Sequence, residues 1–183
     1  MKSISIKDFS NYICVGGVRR VSANNIKSIM NHIKEIKSAE IQLFNAKNIS
    51  SFDHLIISTI NALNAFKSNS RISNSTMTET MLFASTQNQV SKSLEILGTK
   101  DDSDEIALIV LSKDPMDAEK IYHQISELIG IEDDSILNLT HEKKKNLIEV
   151  FKITDLEIQS ANDSDSLSKL IIEKGALLRL KRN

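Results

Sequence analysis

The sequence is poor in the residues that build most recognisable sites. It has one cysteine in 183 residues, Cys14, which excludes an intrachain disulfide framework and any multi-cysteine zinc or iron–sulfur centre. One proline, Pro115, and five glycines impose few breaks, so long helices are expected. No tryptophan, two tyrosines and six phenylalanines leave a core of Ile and Leu and remove the usual stacking platforms for single-stranded nucleic acid. Neither sign of charge dominates: 23 Lys and Arg stand against 24 Asp and Glu, a net of −1. That argues against a wholly basic nucleic-acid coat and against a solvated acidic tail, but permits local basic patches. No apolar run approaches the ~20 residues that cross a bilayer. Lys2, Lys7 and Asp8 interrupt the start, where an apolar signal segment would lie. A soluble, reducing, cytoplasmic setting is expected. The Asn-x-Ser/Thr triplets at Asn48, Asn74, Asn138 and Asn162 then read as chance in a chain rich in Asn and Ser.

What is present is periodicity. Tyr12 to Val21 mixes β-branched residues with Gly16-Gly17 and reads as two short extended pieces around a bend or bulge. From Ser22 to Lys37, Ile26, Ile29, Met30, Ile33 and Ile36 recur at helical spacing, with Ser22 or Asn24 as N-cap. Ile41 to Ala46 is a short strand. Asn48 to Phe66 is a helix capped by Ser50 or Ser51, with Phe52, Leu55, Ile56, Ile60, Leu63 and Phe66 as its stripe. Ala62 and Ala65 beside that stripe allow another helix to approach closely. Lys67 to Thr76 is a polar loop. Thr76-Met77-Thr78-Glu79 then reads as a capping box opening a helix through Met81-Leu82-Phe83-Ala84. Asn88 to Leu97 is helical, with Val90, Leu94 and Leu97 as its apolar positions and Gly98 at C′. Thr99 to Glu105 is an acidic turn. Ile106 to Leu111 is an uninterrupted apolar strand, hence central.

Asp114-Pro115 starts a helix with the stripe Ala118, Ile121, Tyr122, Ile125, Leu128, Ile129, ended by Gly130. Thr140 to Phe151 is helical, with Lys143-Lys144-Lys145 exposed. Ile153 to Ala161 fits helix or strand. Ser166 to Lys174 is a short helix stopped by Gly175, and Ala176 to Leu180 a closing strand. The length suits one domain, residues 1–183, that buries roughly 70% of its unfolded surface. The pattern predicts an α+β fold: a small, mostly antiparallel or mixed sheet of four to five strands packed with six to seven helices. A doubly wound parallel sheet is the alternative.

Catalytic sets are missing. His32, His54, His123 and His141 are scattered, none paired with Cys14 or with a second His one turn away, and read as surface or edge histidines rather than metal ligands. Cys14 lies in an apolar strand, where a thiol is an inert small hydrophobe. There is no G-x-S-x-G elbow and no P-loop, and Gly16-Gly17 lacks the third glycine of a dinucleotide fingerprint. Asp101-Asp102, Asp104-Glu105 and Glu132-Asp133-Asp134 sit at turns or helix starts, where they solvate the chain or favour a helix dipole. Basic residues gather at Arg19-Arg20, Lys67 with Arg71, Lys92, Lys143-Lys144-Lys145 and Arg179-Lys181-Arg182. Singly these are solvated faces. No cofactor and no metal are expected, and the residues alone lead to a non-catalytic interaction module.

One ordered set says more. A helix carries His54, Leu55, Ala62 and Ala65. After a loop come Glu79, Met81 and Leu82, then Gln89, Val90 and Leu94, with Gly98 after that helix. Toward the end stand Ile153, Thr154 and Glu157, then Ala176, Leu177 and Leu178. In order and spacing this resembles the small kinase-associated subunit family of the KEOPS complex, over nearly the whole chain. Family members often carry Gly at the position of Thr86 and a basic residue at that of Asn88; this chain has neither.

The resemblance implies a non-catalytic subunit of the complex that installs threonylcarbamoyladenosine on tRNA. In that family the subunit binds and stimulates a small atypical kinase/ATPase and helps recruit tRNA through its 3′ CCA end. It implies no membrane partner. For tRNA the candidates are Lys67, Arg71 and Lys92. For the protein partner they are Met77, Met81 and Phe83, because the segment from Met77 to Leu97 has more apolar residues than one stripe can bury; a two-sided core helix explains the same surplus. Two other readings stand beside this one: a ligand-binding or enzymatic domain using the Gly16-Gly17 turn, and a plain oligomerisation module.

Overall fold

Burial of the apolar run Ile106–Leu111 organises one half of the molecule. In the computed structural model this run forms β4, Glu105–Ser112, whose residues from Ile106 onward are all buried. The structure describes residues 1–21, 23–100, 102–160 and 166–181, without the side chains at 23–25, 27, 179 and 181. The readings made at Ser22, Asn24, Asp101, Ala161 and Asn162 and for the Arg179, Lys181 and Arg182 side chains lie outside what is described. The chain divides into two compact units, Met1–Ala46 with Gly98–Leu137, and Lys47–Leu97 with Asn138–Asn183.

The first unit holds the sheet. Its order is β1 (Lys2–Ile6), β2 (Asn11–Arg19), β4, β3 (Ala39–Asn45), with β5 (Ile131–Glu132) also on β2. Every pairing is antiparallel, so the fold is α+β and the doubly wound alternative falls. Cys14 faces Val110 and Leu43 faces Leu108 in register. The alternate residues Cys14, Val18, Ile41, Leu43, Ile106, Leu108 and Val110 meet the stripes of two helices, α1 (Ala23–Glu35) and α5 (Pro115–Ile129). Period two from the strands and period 3.6 from the helices thus converge on one core. The cap of α5 is as read: Asp114 Oδ1 accepts from the N–H of Met116 at 2.8 Å and of Asp117 at 3.0 Å, and Pro115 is the first helical residue.

Gly16-Gly17 does not break its strand. Both lie inside the continuous β2, opposite Leu108 and Ala107. A side chain at Gly16 would overlap the Tyr122 hydroxyl and the Asp134 carboxylate, and one at Gly17 would overlap Ile136 and the Asp133 carbonyl. The glycines admit these neighbours. Beyond the end of β1 the 133–134 turn takes over the Gly17 backbone: Asp134 Oδ1 accepts from Gly17 N–H at 3.1 Å, and Asp133 N–H donates to Gly17 C=O at 2.8 Å.

The second unit is helical. Its elements are α2 (Phe52–Lys67), α3 (Thr76–Ala84), α4 (Val90–Leu97), α6 (His141–Phe151), α7 (Asp155–Ser160) and α8 (Ser166–Leu177). Ser51 caps α2 by accepting from His54 N–H at 3.2 Å. The buried face of α2 is turned away from its apolar stripe. It keeps Leu55 and Ile56 but then runs through Ser58, Thr59, Ala62 and Ala65, with Ile60, Leu63 and Phe66 only half-buried. Small residues win that face because α3 lies against it; Ala62 and Ala65 meet Phe83 and Leu178.

The expected capping box of α3 does not form, and its N-cap lies one residue earlier. Ser75 is the N-cap, accepting from Thr78 N–H at 3.3 Å. Glu79 is wholly buried and turns its Oε2 back on the preceding loop, accepting from Ile72 N–H at 3.1 Å and Ser73 N–H at 2.9 Å. The buried carboxylate fixes the loop, where a box would have satisfied the helix end. A true box opens α7: Thr154 Oγ1 accepts from Glu157 N–H, and Glu157 Oε2 accepts from Thr154 N–H at 2.7 Å. The ambiguous 153–161 segment is therefore helical through Ser160. Lys174 of α8 pairs with Glu157 Oε1 at 3.0 Å and donates to Lys152 C=O. These bonds, those to Thr154 first, hold the Glu157 carboxyl down at about 2.

Gly175 does not stop α8, which runs on to Leu177 and a 3-10 turn at Leu178–Lys181, where a strand was expected. A Cβ at Gly175 would stand 2.5 Å from the Phe83 carbonyl oxygen. This glycine lets α8 approach α3 closely.

Helix α3 is closed by a residue in the left-handed region. Thr86 sits at φ 58, in the left-handed region. Thr86 N–H donates to Phe83 C=O and Gln87 N–H to Leu82 C=O, the bonds that close a helix C-terminus. A β-branched residue is strained there. Thr86→Gly is expected to stabilise the protein by about 1 kcal/mol, the relief of strain exceeding the added freedom of the unfolded chain. Thermal unfolding checks it: the midpoint rises by about 2–4 °C.

Candidate functional site

The site grows from His54. It is completely buried in α2, and both ring nitrogens are engaged. Nδ1 lies 3.2 Å from Ser50 N–H and accepts from it; Nε2 lies 2.8 Å from the carbonyl of Ala84, the last residue of α3. The ring is therefore neutral, with its proton on Nε2. Burial drives its pKa down to about 4, outweighing the Ala84 bond that favours the charged form. The edge or surface reading of this histidine is overturned: it ties the N-terminal end of α2 to the C-terminal end of α3, and its ring meets Phe151 edge-on at 5.9 Å.

From this joint a chain of small polar contacts sets α4. The buried Ser85 Oγ donates to the buried Ser93 Oγ at 2.7 Å. Asn48 Nδ2 donates to Ile96 C=O at 2.6 Å, and Asn146 Nδ2 donates to Asn48 Oδ1 at 2.8 Å. Ser50 and Ser51 each share a 2.8 Å hydroxyl contact with Ser168 of α8. Ser93 and Leu97 thus form the buried side of α4, while Ser91, Lys92, Leu94 and Glu95 face solvent. Leu94, one of the apolar positions of this helix, is 50% exposed. Ser93 displaces it from the buried centre because its hydroxyl has a buried partner. Spacing gives no sign of that bond.

The partner candidates lie elsewhere. Met77, Met81 and Phe83 are buried at 3%, 2% and 1%, so none offers an open surface. Their excess of apolar area belongs to a helix buried all round. Of the RNA candidates, Lys67, Arg71 and Lys92 are all exposed. Arg71 Nη1 donates to Asn69 Oδ1 at 3.0 Å, and its guanidinium stands 4.9 Å over the Phe66 ring. Lys67 and Arg71 share the far end of α2 and the loop beyond it. Lys92 sits beside Ser93, at the end of α2 that carries His54. His54 and Lys67 are separated by about 20 Å along the helix, so the structure does not bring the three bases into one patch. Lys145 is exposed and Lys143 and Lys144 half-exposed.

Nothing else makes a reactive set. Cys14 is buried, 3.8 Å from Ser3 Oγ, and burial pushes its thiol up. His123 Nδ1 and Ser126 Oγ both address Glu132 Oε1, at 2.7 and 2.6 Å. With the hydroxyl on the carboxylate rather than on the imidazole, no nucleophile is activated. Among the described residues no three His, Cys, Asp or Glu side chains gather to hold a metal ion, and no helix is long and apolar enough to cross a membrane. Gly16-Gly17 is a strand segment, not a turn, and leaves no cradle, since Tyr122, Asp134 and Ile136 fill the space over both glycines.

A family model described as kinase binding protein CGI-121 matches residues 19–179. The regulatory protein Cgi121 of Methanocaldococcus jannaschii is 29% identical over 144 residues, which cover 78% of this chain and 86% of that protein.

Proposed function

The chain belongs to the kinase-binding CGI-121 family, and from that premise we propose that it is a non-catalytic, cytoplasmic regulatory subunit of the KEOPS tRNA-modification complex. It binds and stimulates that complex's small atypical kinase/ATPase and helps recruit tRNA through the 3′ CCA end. The observation that carries the reading is the family match over residues 19–179, nearly the whole chain. An exposed apolar side chain on α4 supports it. Leu94 is a large apolar side chain, half exposed, on a helix whose other side is held rigidly by Ser93, Ile96 and Leu97. A rigid helix offering an apolar anchor ringed by Lys92 and Glu95 suits a protein interface.

For tRNA, Lys67 and Arg71 act as phosphate contacts at one end of α2 and Lys92 as a separate contact at the other. Sparse aromatics favour phosphate contact over base stacking. Replacing both Lys67 and Arg71 with alanine is expected to weaken tRNA binding several-fold and to lower the salt slope by about 1.5–2. Lys92→Ala adds its loss independently, as separated contacts do. Filter binding across a salt series measures this. The reading itself is tested by the kinase's ATP turnover with the chain present, using intact tRNA and tRNA lacking its CCA end. Turnover that rises with the chain and with intact tRNA only supports it; turnover indifferent to the chain refutes it.

A further inference from the structure

The loop that joins α2 to α3 is rich in hydroxyls, Ser68, Ser70, Ser73 and Ser75, between positions 67 and 78 where Lys67 and Arg71 are the only charged residues. It is held at both ends. Ser70 N–H donates to Ala65 C=O at 2.9 Å and Asn69 N–H to Phe66 C=O, with Asn69 turned through the left-handed region at φ 56. On the other side the buried Glu79 carboxylate takes the Ile72 and Ser73 amides. Between these anchors Ser70, Arg71 and Ile72 form a fixed tip, with Arg71 and Ile72 exposed.

The hydroxyls differ in how far they are committed. Ser75 Oγ caps α3, and Ser73 Oγ is bound to Ser75 at both its N–H and its C=O. Ser68 Oγ donates to Asn64 C=O. Among the described residues the Ser70 hydroxyl engages only that of Ser68, at 2.9 Å, and the next residue along the chain is Arg71, whose guanidinium rests on an aromatic ring and an amide rather than on an anion.

We propose that Ser70 is a phosphoacceptor for the bound kinase, and that its phosphorylation switches off the RNA contact made by Lys67 and Arg71. The inference rests on the kinase-binding reading above. Ser70 Oγ attacks the γ-phosphorus of magnesium-bound ATP. The bond from that phosphorus to the β-bridging oxygen breaks, ADP leaves with the electron pair, and the hydroxyl proton passes to a base of the kinase. The product adds a charge of about −1.5 to −2, which cancels the two positive charges of the loop. Its oxygens draw the Arg71 guanidinium away from Asn69 into charge-assisted hydrogen bonds. A tRNA phosphate then meets a neutral loop in place of a cationic one.

The test uses the full chain with the purified small atypical kinase. Complex formation is established first by co-elution. The complex is then incubated with magnesium and ATP, and the peptide spanning 68–75 is examined by mass spectrometry. The expected result is one phosphate on Ser70, lost in Ser70→Ala, and a phosphorylated chain whose tRNA affinity and salt slope fall to those of the Lys67→Ala, Arg71→Ala double variant. A complex that forms and turns over ATP yet leaves Ser70 unmodified overturns the proposal and leaves the kinase-binding reading standing. So does a phosphate on Ser70 with unchanged tRNA affinity. If no complex co-elutes, the kinase-binding reading fails and the proposal fails with it.

Discussion

Replacing His54 with alanine is expected to destabilise the protein by about 3–5 kcal/mol. The substitution removes the acceptor of Ser50 N–H and the donor to Ala84 C=O together. Both backbone groups stay buried without partners, and the hole beside Phe151 stays empty. The same residue gives the stability a pH dependence of known sign. The unfolded imidazole takes up a proton near 6.5, whereas the folded one resists until about 4, because burial opposes the charge and a proton on Nδ1 would confront Ser50 N–H. Between those values the unfolded state binds more protons. The stabilisation is therefore complete above about pH 6.5 and is lost as the pH falls toward about 4, by about 3 kcal/mol in all. His54→Gln, which keeps one donor and one acceptor but cannot titrate, should be damaged less than the alanine variant and show no such loss across that window. Urea unfolding at a series of pH values measures all three proteins. A native curve parallel to that of His54→Gln between those pH values would show that the histidine is not held neutral.

The second large effect concerns binding. Leu94→Asp is expected to weaken association with the kinase by about 30-fold or more, since it removes an apolar anchor and buries an unpaired charge at the same point. The fold should tolerate it. Leu94 is half exposed, and Ser93, Ile96 and Leu97 hold α4 without it. Met81→Ala is the contrasting case. It cuts into the core, so it lowers stability and reaches binding only through unfolding. Measuring unfolding and affinity for the same pair of variants separates surface from core.

Which of these features could be read from the sequence follows from how local their causes are. The α5 cap at Asp114-Pro115 was legible because a cap and its helix lie within four residues. β4 was legible because burial on both faces leaves an unbroken apolar run. The misreadings share a different cause. His54 depends on a carbonyl thirty residues away, and no spacing rule places Ala84 C=O over its ring. Gly16, Gly17 and Gly175 each signal a break in the sequence, yet in the structure each admits a neighbour from another element: Tyr122 with Asp134, Ile136, and Phe83. β1 was not read at all, because only Ile6 in it is buried. Ser75 and Thr76 are equivalent N-caps on paper; the difference is that Glu79 is drawn to the Ile72 and Ser73 amides instead of to the helix end. Of the candidate surface, the exposed bases were identified as exposed. Leu94 was named only as an apolar position, and helical period alone cannot see that a buried serine pair occupies the centre of the α4 contact.

The most direct test of the account is calorimetric titration of the small atypical kinase with the full chain and with Leu94→Asp. The account predicts a saturable one-to-one complex for the native chain and a loss of about 30-fold or more in affinity for the variant, with its thermal unfolding unchanged. No heat of binding from the native chain would contradict the kinase-binding role, and equal affinities for the two proteins would contradict the surface assigned to it.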